Sequence, residues 1–152
     1  MNLTLVPLTR EGVRADIEQM QPHERAQLSR DWLALLDGST AVDLWIHGFR
    51  MVHRAGGNVV GKCGFKGPPG ADGVVEIAYG VDPEHQGKGY ATEAAAALTS
   101  YAFENGLVRV VRAHTAPEPN ASTRVLAKCG FHRVGEVIDP EDGLVWRWER
   151  EG

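Results

Sequence analysis

The chain has 152 residues, enough for one ordinary domain that buries about 70% of its unfolded surface and needs neither a disulfide nor a metal to fold. With 43% hydrophobic and 24% charged residues it is globular in composition, and its formal net charge of −4 speaks against the basic face of a nucleic-acid binder. No apolar run approaches the ~20 residues of a membrane helix, and the two cysteines, Cys63 and Cys129, read as reduced thiols of a cytoplasmic chain.

Residues 2–6 alternate polar and apolar and predict a strand; they lack the basic region of a signal peptide. Thr9 is positioned to cap a helix starting near Arg10, with Val13, Ile17 and Met20 on its apolar face. Pro22 restarts the chain. Leu28, Trp32, Leu35 and Leu36 form the stripe of a second helix, which Asp37-Gly38 ends with glycine in the C′ place. Residues 44–53 and 59–65 predict a hairpin around the turn 55–58. The stretch 67–73 reads as a surface turn. Residues 74–81 form a strong strand, stopped by Asp82-Pro83. Residues 91–105 predict an alanine-rich helix with Ala91, Ala95, Leu98 and Ala102 on one face, closed by Gly106. A strand at 107–113, a short helix at 120–129 and strands at 131–137 and 144–148 complete the order β-α-α-β-β-β-α-β-α-β-β. That order predicts one α/β (α+β) domain over residues 1–152, a mixed sheet with helices packed on it.

The junction at residues 81–94 carries most information. A strand ends, a turn with Gly87 and Gly89 follows, and a long helix starts. A helix start leaves backbone N–H groups unpaired and carries partial positive charge, and glycines let an anion approach them closely. The site suits a phosphate. The dinucleotide pattern G-x-G-x-x-G fails at Thr92. The Walker pattern fails around residues 57–63, where Cys63 stands in the place of the magnesium-binding Ser or Thr. Histidines and cysteines show no metal spacing, and no G-x-S-x-G elbow is present.

The pattern Q/R-x-x-G-x-G/A fits as Gln86-x-x-Gly89-x-Ala91. It follows Val81-Asp82-Pro83, precedes a small-residue helix, and is followed by a strand and the segment 120–131 ending Lys128-Cys129-Gly130-Phe131. Over residues 76–131 the chain resembles the GNAT superfamily of N-acetyltransferases, in particular its ribosomal-protein (Rim-type) branch. The resemblance implies a mixed, mostly antiparallel sheet of about seven strands flanked by about four helices. It implies acetyl-coenzyme A as co-substrate, no metal, and a small-molecule or peptide amine as acceptor. The pyrophosphate would lie on the N–H groups of Gly87, Lys88, Gly89, Tyr90 and Ala91 behind Gln86. The pantetheine arm would lie along Tyr79, Gly80 and Val81, where the family strand carries a bulge that splays it from its neighbour. Neither nucleic acid nor membrane is an expected partner, and a monomer or homodimer is the expected state.

Amine acetylation requires an amine without its extra proton and donors for the developing oxyanion. Alternation in residues 74–81 puts Glu76, Ala78 and Gly80 on one face, and the resemblance makes Glu76 the candidate base. Ser122 stands eight residues before Gly130, the offset at which Rim-type enzymes bring a serine near the thioester sulfur. Pro119 occupies the place of the family's asparagine, with Asn120 one residue later as helix cap and second cofactor candidate. Leu126 occupies the place of the tyrosine that many relatives use as general acid. A non-catalytic acyl-coenzyme A-binding module is the alternative reading.

Overall fold

A computed structural model of the chain describes residues 2–39 and 43–152. Strand β1 (Leu3–Pro7) leads into α1 (Arg10–Glu18), which starts where Thr9 Oγ1 accepts the Gly12 N–H at 3.1 Å. One turn, α2 (Pro22–Arg25), opens on Pro22 inside a Gln21/Glu24 capping box. Helix α3 (Arg30–Gly38) begins two residues later than Leu28, because Ser29 takes the cap. Its end departs from expectation as well. Gly38 is the last helical residue and has no positive φ; the buried Ser39 closes the helix, its hydroxyl donating to the Leu36 carbonyl at 2.7 Å.

The predicted strand at 44–53 is half helix. Leu44–His47 form the turn α4, and β2 is Phe49–His53. The Asp43 side chain accepts the Trp45 N–H at 2.9 Å, a cap strong enough to override the strand preference of Trp45 and Ile46. Gly48, at φ 72°, then turns the chain into β2 so tightly that a Cβ there would meet the Cys63 carbonyl at 2.7 Å.

Strands β3 (Val59–Phe65) and β4 (Val74–Val81) follow, then α5 (Tyr90–Glu104), β5 (Val110–Thr115), α6 (Ala121–Lys128), β6 (His132–Asp139) and β7 (Gly143–Glu151). The buried face of α5 is Ala94, Ala95, Leu98, Thr99 and Ala102, with Ala91 only half-buried at its start. Its small side chains let the helix lie close on β4.

The seven strands form one sheet in the order β1-β2-β3-β4-β5-β7-β6. Every neighbouring pair is antiparallel except β4 and β5, which run parallel. That parallel pairing joins only Val74–Glu76 to Val110–Arg112. Beyond Glu76, β4 stays with β3 as far as the Gly61–Val81 pair, and β5 stays with β7 as far as the Thr115–Trp146 pair. The sheet therefore opens into a V between the ends of β4 and β5. No bulge in β4 causes it: the β3–β4 register is unbroken, and the shift nearby lies between Met51 and Val52. Each half-sheet keeps its own partner and its own twist, so the two part once the short parallel ladder ends.

Val75, Ile77, Val111 and Ala113 face α5 and α6 in the main core, with Leu98 and Leu126. Leu8, Val13, Leu36 and Ile46 make a second apolar cluster, joined by Ile17 and Trp32, under the N-terminal helices. Between the helices and the sheet lies the open face of β3 and β4.

Candidate functional site

The glycine turn is held from behind and open in front. A 3-10 turn, Pro83–His85, leads out of β4, and Gln86 Nε2 donates to the Val81 carbonyl at 3.0 Å, tying the turn back to the strand it left. Gly87 (φ 78°) and Gly89 (φ 84°) hold left-handed conformations, and a Cβ on either would meet no atom within 4 Å. The glycines thus serve the turn's conformation and leave the ground before it empty. Gly89 caps α5 with no side-chain bond, so the first-turn N–H groups of a 15-residue helix face outward. Tyr90 is buried, its ring 5.8 Å from that of His53, which anchors the helix start over β2. Lys88 is exposed and Ala91 half-buried. These residues fit an anion with several acceptor oxygens, such as a pyrophosphate.

The V opens directly below this turn. Tyr79 reaches across it, and its hydroxyl donates to the Ser122 carbonyl on α6 at 3.5 Å. Burial pushes the phenol up to about 12. Gly80 is exposed and Val81 half-buried beside it. Ser122 is half-buried in the first turn of α6, and Asn120 caps that helix, its Oδ1 accepting the Thr123 N–H at 3.0 Å. The cap engages the Asn120 oxygen and leaves its NH₂ for other partners. Leu126 is completely buried in the core.

Glu76 stands on the other face of β4, inside a charged ladder that crosses the sheet. Its Oε2 lies 3.0 Å from Lys66 Nζ on the segment following β3 and 3.1 Å from His114 Nδ1 on β5. Arg147 Nε, on β7, donates to His114 Nε2 at 3.1 Å. With Nε2 accepting from Arg147, Nδ1 carries a proton and donates it to Glu76, so both ring nitrogens are engaged. Beside it Arg112 pairs with Glu149 at 2.7 Å. Burial pushes the Glu76 carboxyl up, but the His114 hydrogen bond and the Lys66 charge outweigh it and hold the group below its ordinary range. Oε1 has no hydrogen-bond partner among the described residues and is left for a ligand or water.

His114, Lys66 and Arg147 escaped the sequence reading. Alternation in β5 does put Arg112 and His114 on one face, yet only the Glu76–Arg112 register across the parallel pair shows that this face is the one Glu76 occupies.

On the same open face, α1, α3 and α4 leave a cavity of about 540 Å³ over β3 and β4. Its floor includes Gly64, Ala78 and Gly80, and it reaches Asp82 and Pro83 at the glycine turn. Cofactor turn, V and cavity are therefore contiguous through the end of β4, with Glu76 next along the strand face from Ala78. Among the described residues, no group of three or more His, Cys, Asp or Glu side chains is set to hold a metal, and no helix is long and apolar enough to cross a membrane.

Known proteins resemble this chain in sequence and in fold. The N-acetyltransferase YjdG of Bacillus subtilis is 31% identical over 102 residues, 67% of this chain and 58% of its own length. The N-acetyltransferase p20 of Bacillus licheniformis is 28% identical over 124 residues, 79% of this chain and 67% of its own. The chain thus spans less than two thirds of the first of these relatives. Among solved structures, the Vibrio cholerae spermidine N-acetyltransferase in complex with CoA and spermine superposes with a TM-score of 0.69 at 20% identity, covering 99% of this chain and 95% of that one. A GNAT-family acetyltransferase of Bacillus anthracis gives a TM-score of 0.70 at 19% identity, with the same coverage. At these identities the structures establish a common fold. The model of the acetyltransferase (GNAT) domain matches residues 3–132, and the chain belongs to that family.

Proposed function

We propose that this chain, as a single domain over residues 1–152 in the cytoplasm, transfers the acetyl group of acetyl-coenzyme A to a primary amine by direct attack in a ternary complex. The observation that carries the reading is the parting of β4 from β5 just ahead of an empty glycine turn, with a carboxylate on the opposite face of the same strand. Acetyl-coenzyme A supplies an activated acetyl thioester. The N–H groups of Gly87 to Ala91 bind its pyrophosphate, Lys88 adds charge, and the freed edge of β4 at Tyr79, Gly80 and Val81 pairs with the pantetheine amides.

Two proton questions are decided by magnitude. An alkylammonium titrates near ~10.4 as a lysine does, and a carboxylate held below its ordinary range cannot take that proton without a large uphill step. Glu76 therefore acts through charge and through water at Oε1. It draws the ammonium in and holds at Oε1 a water through which protons leave to bulk solvent, the first before the free amine attacks and the second from the adduct after it. Tyr79, near 12, is likewise too weak an acid to protonate a thiolate of pKa ~8.5. Its hydroxyl instead turns from the Ser122 carbonyl, a long contact of 3.5 Å, to donate its hydrogen bond to the departing sulfur. Tyr79→Phe is expected to lower kcat about tenfold, the worth of one neutral hydrogen bond, at unchanged acetyl-coenzyme A affinity. Single-turnover kinetics with unchanged kcat would remove Tyr79 from the chemistry.

The segment 120–131, similar to Rim-type enzymes, supports a peptide N-terminus as one acceptor class; a small amine is the other. Leu126 at the position of the family's tyrosine is the feature that favours a non-catalytic acyl-coenzyme A-binding module. Calorimetric titration of acetyl-coenzyme A, with ATP and NAD as controls, comes first, followed by thiol-release assays on amines. Micromolar binding of acetyl-coenzyme A alone is expected. Binding with no turnover of any amine selects the module, and no binding ends the reading of residues 86–91. Sedimentation of the same sample reads the expected monomer or homodimer.

A further inference from the structure

Resting on that reading, and taking the cavity over β3 and β4 as the acceptor's place, we infer that the preferred acceptor is a small primary amine with a single positive charge and an apolar alkyl or aryl body. The cavity's volume, about 540 Å³, suits a small molecule. On the side of the N-terminal helices it is lined by Val13, Ile17, Met20, Leu28, Trp32 and Ile46, with Asp16, Gln27 and Ser29 among them. The one polar atom of the indole is already engaged: Trp32 Nε1 donates to the Ile46 carbonyl at 2.7 Å, so the ring presents an apolar surface. His47, also in the wall, has both nitrogens engaged, by the Asp43 N–H and the Ser39 hydroxyl.

The charges around the cavity do not suit a polycation. Asp16 is the carboxylate of the helical wall, and its charge is balanced by two cations: Lys62 Nζ lies 3.0 Å from Oδ2, which is buried and accepts no hydrogen bond, and Arg50 Nη2 3.5 Å from Oδ1. Lys62 and Lys66 themselves line the cavity, and Asp82 stands at the far end beside the cofactor turn. A polyamine spreads ammonium groups along its length, and each one buried without a carboxylate loses its hydration uncompensated. Glu76 lies just outside that lining, next along the strand face from Ala78, with both partners on Oε2 and Oε1 left for the reacting nitrogen, while the remainder of the acceptor meets side chains that reward apolar area. The wall therefore selects for a body without further charge, although the Vibrio cholerae relative of the same fold is solved with spermine.

The test is steady-state thiol release by the full chain with saturating acetyl-coenzyme A and four acceptors: propylamine, hexylamine, phenylethylamine and spermidine, with a tetrapeptide as fifth. Hexylamine is expected to exceed propylamine in kcat/KM by about tenfold or more, because added methylenes enter an apolar pocket. Phenylethylamine should exceed spermidine by a similar factor. Met20→Glu, which puts a carboxylate in the wall, should reduce the hexylamine value about tenfold and raise that of spermidine, while acetyl-coenzyme A affinity by calorimetry stays within about twofold. Spermidine or the tetrapeptide as best substrate, a flat alkyl series, or acetyl-coenzyme A binding without turnover of the apolar amines overturns the inference and leaves the cofactor reading standing. Loss of acetyl-coenzyme A binding in the unaltered chain fails the parent reading instead. If Met20→Glu does not fold, the alkyl series of the unaltered chain still decides.

Discussion

Gly89→Val should raise the Kd for acetyl-coenzyme A about a hundredfold while leaving the fold intact. Gly89 holds φ 84°, where a β-branched residue costs roughly 1–2 kcal/mol more than glycine. The chain relieves that strain by rotating the peptide units on either side, which turns away N–H groups aimed at the space in front of α5. The added side chain also fills ground that is empty to 4 Å around the glycine's Cβ direction. One or two hydrogen bonds to a charged oxygen are lost, at about 1.5–3 kcal/mol each, and about 1.4 kcal/mol is a factor of ten. The turn is on the surface, so the melting temperature should move by a few degrees at most. Gly106→Ala is the control: that residue lies past the other end of α5 with no positive φ and open space around it, and its Kd should not change. Equal affinity in Gly89→Val and the unaltered chain would separate the glycine turn from cofactor binding.

Glu76→Gln should cut kcat about a hundredfold at unchanged acetyl-coenzyme A affinity, within the range for a single acid–base group. The amide keeps the shape but loses the charge that draws in the ammonium and orders the water that carries its proton to solvent. The rate of the unaltered chain should climb with pH through neutrality towards the acceptor amine's own pKa, because Glu76 stays ionised throughout. A kcat within about twofold of the unaltered chain would reduce Glu76 to a structural member of the ladder. The ladder has a stability readout of its own. Glu76 has a depressed carboxyl pKa, so its contribution is present above the unfolded value of ~4.3 and is lost as pH falls through the lower folded value. Burial lowers Lys66, but Glu76 outweighs it and raises the group, so the lysine's contribution is present below ~10.4 and is lost as pH rises through its folded value. Between those limits Glu76→Gln should cost about 1–2 kcal/mol in urea unfolding, and the difference between the two proteins should close in strong acid.

Much of this molecule was written locally in its sequence. The period-two alternation of residues 74–81 already separated Glu76, Ala78 and Gly80 from the core-facing Val75 and Ile77, because successive side chains of a strand must point to opposite faces. The caps Thr9 and Asn120, the glycine turn and the small-residue helix after it are decided within a few residues of backbone, and each formed where its chemistry required. Locality also explains the miss at 44–47: a single capping aspartate changed the outcome for four residues whose side chains favour a strand.

What the sequence could not hold was register between distant segments. β4 and β5 are joined through a long helix, and nothing local says that Arg112 pairs with Glu76 and not with a neighbour. That one register brings His114 to Glu76 across 38 positions and lets β7 add Arg147 behind it. It turns an expected solitary base into a half-buried carboxylate pinned low by two partners. The parting of β4 from β5, the reach of Tyr79 to Ser122 and the apolar wall over Ala78 have the same origin. They depend on which strands stay paired and which helices cover them, and packing over the whole chain decides that, not any window of the sequence.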